Sequence, residues 1–583
     1  MPSSTSAKLL RIAALAVAVS LVVWLAWCRG TPQDSGGETA DAGPRPGGRL
    51  VATHQAEPTN FNRLVEANAM ARMAMLLTQG TLVRLNQATG ELEPRLATSW
   101  SSSEDKLAWT LALRQDVKFS DGTPFTSADV LFTFRALFDE KVGSPLAADF
   151  TIGGKRVDVR ALDDHQIVLT FPETWGPGLA ILDSLPILPR HKLEAALQAG
   201  TLRTAWQASV SPAEIVGLGA FTLREYVPAQ RLVFARNPNF WRKDDAGRAM
   251  PYLDEIEIGI VPDQAAELLR LQSGQADVIT DFAKTEDLAA LRADEAAGKL
   301  QLVDAGTSID VTPFFFNLSP DAKATASRPW LTAPEFRRAV SHAINRQAIV
   351  DTVFLGNATA IWGPVTPGFG PWYAPDLPRT EFDAGRARTL LTSLGLVDNN
   401  GDGTLEDKAG QPVRFSILTR SGQPERERTM VLVQEQLRQV GIAVDIVALQ
   451  QPEIVGRFTA KDFDAIYFGA RVTSTDPNAS MGFWLSSGGF HWWNPGQTKP
   501  ATEWEARIDA LMTQQSKTMD TAERRRLFAE VQQILAEEVP ALWLVAPNVT
   551  IPMSARVKGA TPVIFAPPVL WNAEQIYLAS TVR

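Results

Sequence analysis

Cysteine and histidine are scarce in this sequence of 583 residues. The one cysteine, Cys28, lies near the N-terminus, so an internal disulfide and a zinc site built from clustered thiolates are excluded. The five histidines show no His-x-x-x-His spacing. The sequence also lacks a phosphate loop, a Gly-x-Gly-x-x-Gly fingerprint and a Gly-x-Ser-x-Gly elbow. Local motifs therefore predict no metal site, no cofactor and no enzymatic activity.

An excess of basic residues is missing as well. The chain has 56 Lys and Arg against 65 Asp and Glu, a net charge of −9. Because a protein needs a basic surface to displace counterions from phosphates, no nucleic-acid partner is predicted. With 45% hydrophobic and 21% charged residues, the chain is neither disordered nor a multi-span membrane protein. Its length is typical of a multidomain globular protein, with about three to five folding units.

Residues 1–28 have the pattern of a targeting segment. Lys8 and Arg11 provide a positive start, and an uncharged, mostly apolar run then extends to Cys28. This run is short for a membrane-spanning helix, which favours an export signal over an uncleaved anchor. Residues 29–47 are rich in Gly, Pro, Asp, Ser and Thr and are interpreted as a flexible linker.

Residues 25–28 resemble the lipobox of bacterial lipoproteins, although Trp27 stands where a small residue normally precedes the cysteine. The resemblance implies a lipid on Cys28 and an extracytoplasmic, membrane-tethered protein. An uncleaved anchor and ordinary secretion remain the alternatives.

From Arg49 onward, short β-branched or alternating runs interleave with amphipathic windows, which predicts an α/β fold. Thr126, Asp263 and Asp520 are expected to cap three helices, and a fourth helix is expected to carry the stripe from Met430 to Val440. Strands are expected at 277–279 and 442–446. These elements are interpreted as core structure.

Six short segments share a family resemblance. They are 96–100 (LATSW), 111–125 (LALRQDVKFSDGTPF), 217–221 (GLGAF), 236–241 (RNPNFW), 336–340 (FRRAV) and 343–346 (AINR). In this order they resemble motifs of the bacterial extracellular solute-binding proteins of family 5, the peptide/nickel-type receptors of ABC importers. The similarity extends from about residue 48 to the C-terminus.

The resemblance implies a two-lobed, type II periplasmic-binding-protein fold with a hinge and an extra subdomain. By analogy, the first lobe comprises 48–81, 206–309 and 548–583, with an inserted subdomain at 82–205, and the second lobe comprises 310–547. Crossovers near 312–317 and 546–551 are expected to form the hinge, because a few extended residues can absorb the dihedral changes of closure.

Aromatic residues supply the first candidate ligand contacts. Phe490, Trp492 and Trp493 follow Gly488 and Gly489 in a segment that is typical of a loop, and the family places the corresponding loop beside the ligand. Flat apolar surface is what a solute-binding cleft needs. A packed surface loop is the alternative interpretation.

The segment 470–477 supplies further candidates. In the peptide-binding members, a tryptophan opens this segment and an aspartate pairs with the peptide's ammonium group, but Ala470 and Thr473 occupy these positions here. Without that carboxylate a buried ammonium group would be poorly compensated. Arg471, Thr473 and Asp476 are therefore the predicted contacts, with surface or turn roles as the alternative.

Two other regions contribute candidates, and a third contains a possible cation loop. Glu57 and Asn60 match the family's region facing the cleft, where Glu57 is expected either to receive an amine or hydroxyl or to be an exposed turn carboxylate. Trp372 lies in a Pro-Gly-rich loop where it stacks either on ligand or on the loop itself. The Asp398–Gly403 segment matches the opening of a calcium loop, but Ala409 occupies the twelfth position. A hairpin turn is therefore preferred there.

The leading hypothesis is an extracytoplasmic receptor that captures a peptide or similar polar organic solute by lobe closure. Its expected partners are an ABC permease and separate ATPase subunits, and it is expected to be a monomer. An exported carbohydrate-active hydrolase with paired cleft carboxylates and a tethered sensor domain without a permease are the alternatives.

Overall fold

The computed structural model describes residues 43–579 except 67, 470 and 473. The predicted targeting segment with Cys28, and the predicted contact Thr473, lie outside the described residues. Pro46 begins the compact unit that contains the remainder of the fold. Within the described part, no helix has both the length and the apolar character needed to cross a bilayer.

Most of the strands belong to three sheets of four or more strands. In chain order the strands are β1 Arg49–His54, β2 Val83–Leu85, β3 Leu92–Pro94, β4 Ala97–Ser102, β5 Ala108–Leu113, β6 Thr151–Ile152, β7 Lys155–Arg156, β8 Asp158–Asp163, β9 Gln166–Thr170, β10 Phe221–Val227, β11 Arg231–Arg236, β12 Glu255–Ile260, β13 Val278–Ile279, β14 Leu300–Thr307, β15 Pro313–Phe316, β16 Ala358–Ala360, β17 Arg414–Arg420, β18 Ala443–Leu449, β19 Ala465–Tyr467, β20 Ala541–Trp543, β21 Val545–Ser554, β22 Val557–Lys558 and β23 Tyr577–Leu578.

Helices alternate with these strands along much of the chain. The α-helices are α1 Ala69–Thr78, α2 Ser127–Leu137, α3 Arg190–Gln198, α4 Gln264–Gln272, α5 Leu288–Ala296, α6 Lys323–Ser327, α7 Pro334–Ala343, α8 Arg346–Thr352, α9 Ala384–Ser393, α10 Pro424–Arg438, α11 Gln451–Thr459, α12 Met481–Trp484, α13 Glu503–Lys517 and α14 Thr521–Glu538. Short 3-10 turns lie at Pro145–Ala148, Gly178–Ser184, Leu202–Thr204, Pro212–Glu214, Thr285–Asp287, Pro329–Thr332, Pro367–Trp372, Pro477–Ser480 and Leu570–Gln575.

The first sheet has the strand order β10-β11-β12-β1-β13-β21-β14, with β16 paired to β21. Strand β1 runs parallel to both β12 and β13, and Arg49 lies opposite Glu255. The other pairs in this sheet are antiparallel. This sheet is assembled from distant parts of the sequence, because β21 comes from near the C-terminus.

The second sheet has the order β18-β17-β19-β15-β20, with β17 parallel to β18 and β19. Strand alternation divides the side chains of β15 between two cores. Phe314 and Phe316 pack in a cluster on one face, and Phe315 packs in another cluster on the opposite face. Helices therefore cover this sheet on both sides, as expected for buried parallel strands.

A third sheet, β4-β5-β9-β8, is wholly antiparallel and comes from the part of the chain between β1 and β10 of the first sheet. Its apolar side chains join the same hydrophobic cluster as the first sheet, through residues such as Leu111, Ile167 and Leu169. The third sheet thus extends the core of the first sheet.

The three residues that were predicted to cap helices lie at the N-termini of those helices in the structure. Thr126 and Asp129 form a capping box on α2, Asp263 accepts a hydrogen bond from the Ala266 amide at the start of α4, and Asp520 does the same for Ala522 and Glu523 on α14. Helix α10 buries Met430, Val433 and Leu437, which confirms the fourth predicted stripe.

Two extended segments connect the first sheet to the second. Residues 308–312 link β14 to β15, and β20 leads almost directly into β21 through Leu544. Strand β21 pairs with β16 at Val545 and with β14 from Asn548 onward. These crossings bring the ends of the two sheets together.

Candidate functional site

Charged side chains from the two sheets meet beside the crossing segments. His54 ends β1, Asp281 follows β13 in the first sheet, Arg426 lies in the first turns of α10 beyond β17, and Arg471 follows β19 in the second sheet. Asp310 lies on the crossing between β14 and β15. Open α/β sheets bind ligands beyond the carboxyl ends of their strands, which is where these residues lie. We call these five residues the charged cluster.

Arg471 connects carboxylates from both sides of the cluster. Its Nη2 lies 3.7 Å from Oδ1 of Asp281, and its Nε lies 3.9 Å from Oδ2 of Asp310. Both distances are long for a charge-assisted hydrogen bond. The Arg471 side chain is 61% exposed, so its guanidinium remains accessible to a further group. The predicted contact Arg471 therefore lies where ligand can reach it.

Asp310 fixes the backbone of the segment that follows β19. One of its oxygens accepts a hydrogen bond of 2.7 Å from the amide of Val472. Burial raises the pKa of Asp310, while this hydrogen bond and the nearby charges of Arg471 and Arg426 oppose the increase. Asp310 is therefore a structural anchor on the crossing segment.

Arg426 is half-buried beside the ring of Phe468, whose centroid lies 5.9 Å from the guanidinium carbon. Burial lowers the pKa of Arg426, and the repulsion of Arg420 adds to this effect, while Asp310 opposes it. Among the described residues, its Nη1 has no hydrogen-bond partner. Arg426 therefore has a free donor within the cluster.

His54 is held in one tautomer by its neighbour. The hydroxyl of Thr280 donates its hydrogen to the carbonyl of Thr53 at 2.8 Å, and the same hydroxyl oxygen lies 2.7 Å from Nδ1 of His54. Because a hydroxyl has only one hydrogen, Nδ1 must be the donor of this second bond. Burial lowers the pKa of His54 despite the charge of Asp281, so the ring is neutral and Nε2 is an acceptor.

Asp476 and Trp372 are engaged by one buried arginine. Nη2 of Arg524 donates to Asp476 at 2.6 Å, and the Arg524 guanidinium lies 4.9 Å from the centre of the Trp372 ring. Asp476 also accepts a hydrogen bond of 2.9 Å from the amide of Asn478 as a helix cap. The two predicted contacts lie together, but in a structural network.

The three aromatic residues after Gly489 have different environments. Trp493 is 2% exposed, and its ring nitrogen donates to Glu505 at 3.3 Å, so it belongs to the core on one face of the second sheet. Trp492 is half-buried against Phe315, with ring centroids 5.6 Å apart. Phe490 is 60% exposed. Of the three, Trp493 has almost no surface left for a ligand.

Glu57 and Asn60 are bound to the first sheet and its neighbours. Glu57 accepts hydrogen bonds from the hydroxyl of Tyr226 at 2.5 Å and from the Ala229 amide at 3.1 Å. Asn60 is 7% exposed and donates to the carbonyl of Arg203 at 3.0 Å. Asn60 therefore holds its own segment against the segment that contains Arg203. The carboxylate of Glu57 already accepts two hydrogen bonds from the protein.

The loop from Asp398 contains a carboxylate that sequence spacing did not assign to it. Carboxylate oxygens of Asp398, Asp402 and Glu406 lie within 4.8 Å of one another. Glu406 already accepts a hydrogen bond of 2.8 Å from the Asn400 amide group, and it pairs with Val397 across the turn. The expected hairpin turn is present, and its carboxylates are engaged by the turn's own donors.

His54, Asp281, Asp310 and Arg426 were not among the sequence-predicted contacts. Each lies at or just beyond a strand end or in the first turn of a following helix. A search for polar residues directly after predicted strands would have found Asp281, which follows the strand predicted at 277–279. The pairing of His54 with Thr280 depends on a contact between residues 226 positions apart, which no local pattern shows.

Two α/β sheets that are joined by two crossing segments, with a charged cluster where their strand ends meet, are typical of a two-lobed solute-binding protein. The sequence matches the family described as "Bacterial extracellular solute-binding proteins, family 5 Middle" over residues 91–492. The chain therefore belongs to that family.

Relatives and solved structures agree with this assignment. The oligopeptide-binding protein AppA of Bacillus subtilis is 25% identical over 567 residues, covering 94% of this chain and 95% of AppA. Heme-binding protein A of Haemophilus influenzae is 27% identical over 545 residues, covering 88% of this chain and 92% of that protein. The structure of the ABC transporter substrate-binding protein CtaP of Listeria monocytogenes has a TM-score of 0.74 at 21% identity, covering 92% and 100% of the two chains.

Three predictions from the sequence are thereby confirmed. The family resemblance is correct, and the fold is the two-lobed α/β fold of type II binding proteins. The chain is an extracytoplasmic solute-binding receptor of the kind that serves ABC importers. The family consists of binding proteins, and the hydrolase alternative receives no support from it.

Proposed function

We propose that this receptor binds a peptide or similar polar organic solute at the charged cluster and delivers it to an ABC permease driven by separate ATPase subunits. The oligopeptide-binding name of the Bacillus subtilis relative supports the ligand class. The observation that carries the proposal is Arg471, which approaches carboxylates from the first sheet and from the crossing segment while keeping most of its surface exposed.

Ligand binding at this position would favour closure. A ligand that contacts His54 or Asp281 and also Arg426 or Arg471 makes all of its contacts only when the two lobes are together. Its affinity for the closed form then exceeds its affinity for the open form, and the population shifts accordingly. We take the first lobe as 48–81, 206–309 and 548–583 with the insertion at 82–205, and the second lobe as 310–547.

The test uses the purified full-length receptor and a water-soluble yeast extract, followed by native mass spectrometry of the retained molecules. Titration calorimetry with a retained species then compares wild type with Arg471→Ala. If Arg471 holds a ligand group by a charge-assisted hydrogen bond, its removal weakens binding about tenfold or more.

The matched control is Arg438→Ala, which removes an exposed arginine paired with Glu435 on the surface of α10. The control is expected to bind like wild type. Unchanged binding by Arg471→Ala, or recovery of the solutes in chemically altered form, would contradict the proposed binding role.

The membrane tether belongs to the same proposal. Cys28 would carry the lipid that holds the receptor near its permease, and the linker 29–47 would allow the folded unit to reach it. Labelling with a fatty-acid analogue in cells should mark wild type and not Cys28→Ser, which should be released from the membrane fraction. Light scattering of the lipid-free protein should give the mass of a monomer.

A further inference from the structure

A polar contact lies between the segment that follows the third sheet and the C-terminal end of helix α13. The amide of Gly176 donates a hydrogen bond of 2.7 Å to the carbonyl oxygen of Ser516, and Nζ of Lys517 lies 2.8 Å from Oε2 of Glu173. We call these four residues the clasp. The inference drawn from the clasp rests on the proposed function, because it uses the proposed lobe boundaries. With those boundaries, Glu173 and Gly176 belong to the insertion at 82–205, and Ser516 and Lys517 belong to the second lobe.

Each half of the clasp is fixed to a different hydrophobic cluster. Phe171 is 2% exposed, and it packs with the partly buried Trp175 in the cluster that the first and third sheets share. Helix α13 instead buries Ile508 and Leu511 in the cluster on one face of the second sheet. The clasp is therefore a polar contact between two parts of the molecule that have their own apolar cores. Small polar interfaces of this kind are typical of domains that move relative to one another.

The hydrogen bond of the clasp satisfies a carbonyl group at the end of helix α13. The last four carbonyl groups of an α-helix have no partner within the helix. The carbonyl of Gln514 accepts a hydrogen bond of 2.9 Å from the hydroxyl of Thr518, and that of Gln515 accepts one of 3.2 Å from the Thr518 amide. The carbonyl of Ser516 is completed by Gly176. Water can replace this partner when the two segments separate, so the contact is reversible.

The ion pair of the clasp is accessible to solvent. The side chains of Lys517 and Glu173 are 48% and 36% exposed. An exposed ion pair contributes little to stability, and dissolved salt screens it further. The clasp is thus weak enough to open, and its strength depends on the charges of these two residues.

The clasp lies beside the segment that carries Arg471. A Cβ atom at Gly176 would lie 2.7 Å from Nε of Arg524, and Nη2 of Arg524 donates to Asp476 at 2.6 Å. Asp476 follows Arg471 by five residues, and Arg471 belongs to the charged cluster. A movement that brings this part of the second lobe to the charged cluster would therefore also form the clasp.

We propose that the clasp stabilises the closed form of the receptor before any solute is bound. Its two halves belong to opposite lobes, so they meet only when the lobes close. The insertion at 82–205 thereby provides a closing contact outside the charged cluster. A bound solute adds its own contacts to those of the clasp, and loss of the clasp shifts the population toward the open form.

The test uses the full-length receptor without added solute. Lys517→Glu places a second carboxylate against Glu173, and the double variant Glu173→Lys with Lys517→Glu restores the pair in the opposite orientation. The matched control is Lys299→Glu, which reverses the charge of an exposed lysine 3.0 Å from Asp294. Hydrogen–deuterium exchange of the peptide that contains Gly176 measures whether the clasp is formed, and small-angle X-ray scattering gives the radius of gyration. Thermal unfolding verifies that each variant is folded.

We expect exchange in the Gly176 peptide to be about fivefold faster or more in Lys517→Glu, together with a larger radius of gyration. The double variant should return both quantities toward wild type, and Lys299→Glu should leave both unchanged. Exchange in wild type should become faster as sodium chloride is added.

Three results would overturn the inference: unchanged exchange in Lys517→Glu, faster exchange without a larger radius, or a double variant that behaves like Lys517→Glu. Neither measurement uses a solute. A negative result here therefore leaves the proposed binding role of Arg471 intact, and a failure of solute binding would leave a positive result for the clasp intact.

Discussion

At the scale of single residues, the strongest electrostatic contacts are structural. Glu574 is 4% exposed and accepts hydrogen bonds from Arg84 at 2.8 Å and Arg95 at 2.9 Å, and also from Arg242. Burial works to raise the pKa of Glu574, but the three arginine charges outweigh it and lower the pKa well below its ordinary value.

Replacing Glu574 by Gln should destabilise the fold by about 3–5 kcal/mol, because three arginines would remain in a buried site without their carboxylate. Urea unfolding followed by tryptophan fluorescence measures this change. The control, Glu214→Gln, removes an exposed carboxylate 3.7 Å from Lys192 and should change the stability by less than about 0.5 kcal/mol. Equal effects of the two substitutions would contradict the account of the Glu574 network.

Glu505 has a pH-dependent role in holding Trp493. Burial alone would raise its pKa, but hydrogen bonds from His491, the Ala501 amide and Trp493 lower the pKa of Glu505 to about 2. Since the folded pKa lies below the ordinary value, the stabilisation is complete above about pH 4.5 and is lost as the pH falls toward 2. Glu505→Gln should therefore unfold more easily at neutral pH and lose less stability than wild type across this acid range. If the denaturant midpoints of wild type and Glu505→Gln changed with pH in parallel, Glu505 would not be the source of the acid sensitivity.

At the scale of elements, Arg524 on α14 joins three separate segments of the chain. Its side chain is 3% exposed, and it donates to Asp476 before the turn Pro477–Ser480 and to Gln515 on α13 while lying over Trp372. A single side chain thus positions a loop, a turn and a helix. This explains why Asp476 and Trp372 lie together although they are distant in the sequence.

Arg524→Gln should lower the free energy of unfolding by about 3 kcal/mol or more. Asp476 would lose the cation that neutralises it, and the segments that contact Arg524 would no longer be joined by one side chain. The neighbouring control, Arg526→Gln, removes an exposed arginine paired with Glu523 and should have a small effect. Thermal unfolding of both variants measures the difference. If Arg524→Gln also abolished solute binding while its stability stayed at the wild-type level, a direct ligand role for Arg524 would replace the structural one.

At the scale of the whole molecule, the segment that follows the third sheet touches the C-terminal end of helix α13. The amide of Gly176 donates to the carbonyl of Ser516 at 2.7 Å, and Lys517 lies 2.8 Å from Glu173. A Cβ atom at Gly176 would lie 2.7 Å from the carbonyl oxygen of Thr518 and 2.9 Å from that of Gln515. Only glycine therefore allows this close approach of the two backbones.

Gly176→Ala should shift the receptor toward a more open form and speed ligand release, because the added methyl group separates the two backbones. Small-angle X-ray scattering should show a larger radius of gyration, and stopped-flow chase should show faster dissociation. Gly363→Ala is the control, since a Cβ there meets no atom within 4 Å. An unchanged radius and dissociation rate for Gly176→Ala would exclude a closing role for this contact.

The amino-acid sequence determined the local elements and the family of this protein. Capping residues such as Thr126 and Asp263 act through neighbours a few positions away, and apolar periodicity acts through the pitch of one helix, so both are readable from the chain alone. The six family motifs, spread from residue 96 to residue 346, identified the receptor class in the same way.

Only the tertiary structure decided which polar residues are available to a ligand. Trp493 and Asp476 have the chemistry of ligand contacts, but Glu505 and Arg524 engage them across distances that no local pattern specifies. His54 and Arg426 look ordinary in the sequence, and only folding brings them close to the carboxylates of Asp281 and Asp310, which come from distant parts of the chain. Hydrogen-bond satisfaction depends on all neighbours in space, whereas helix and strand patterns depend mainly on neighbours along the chain.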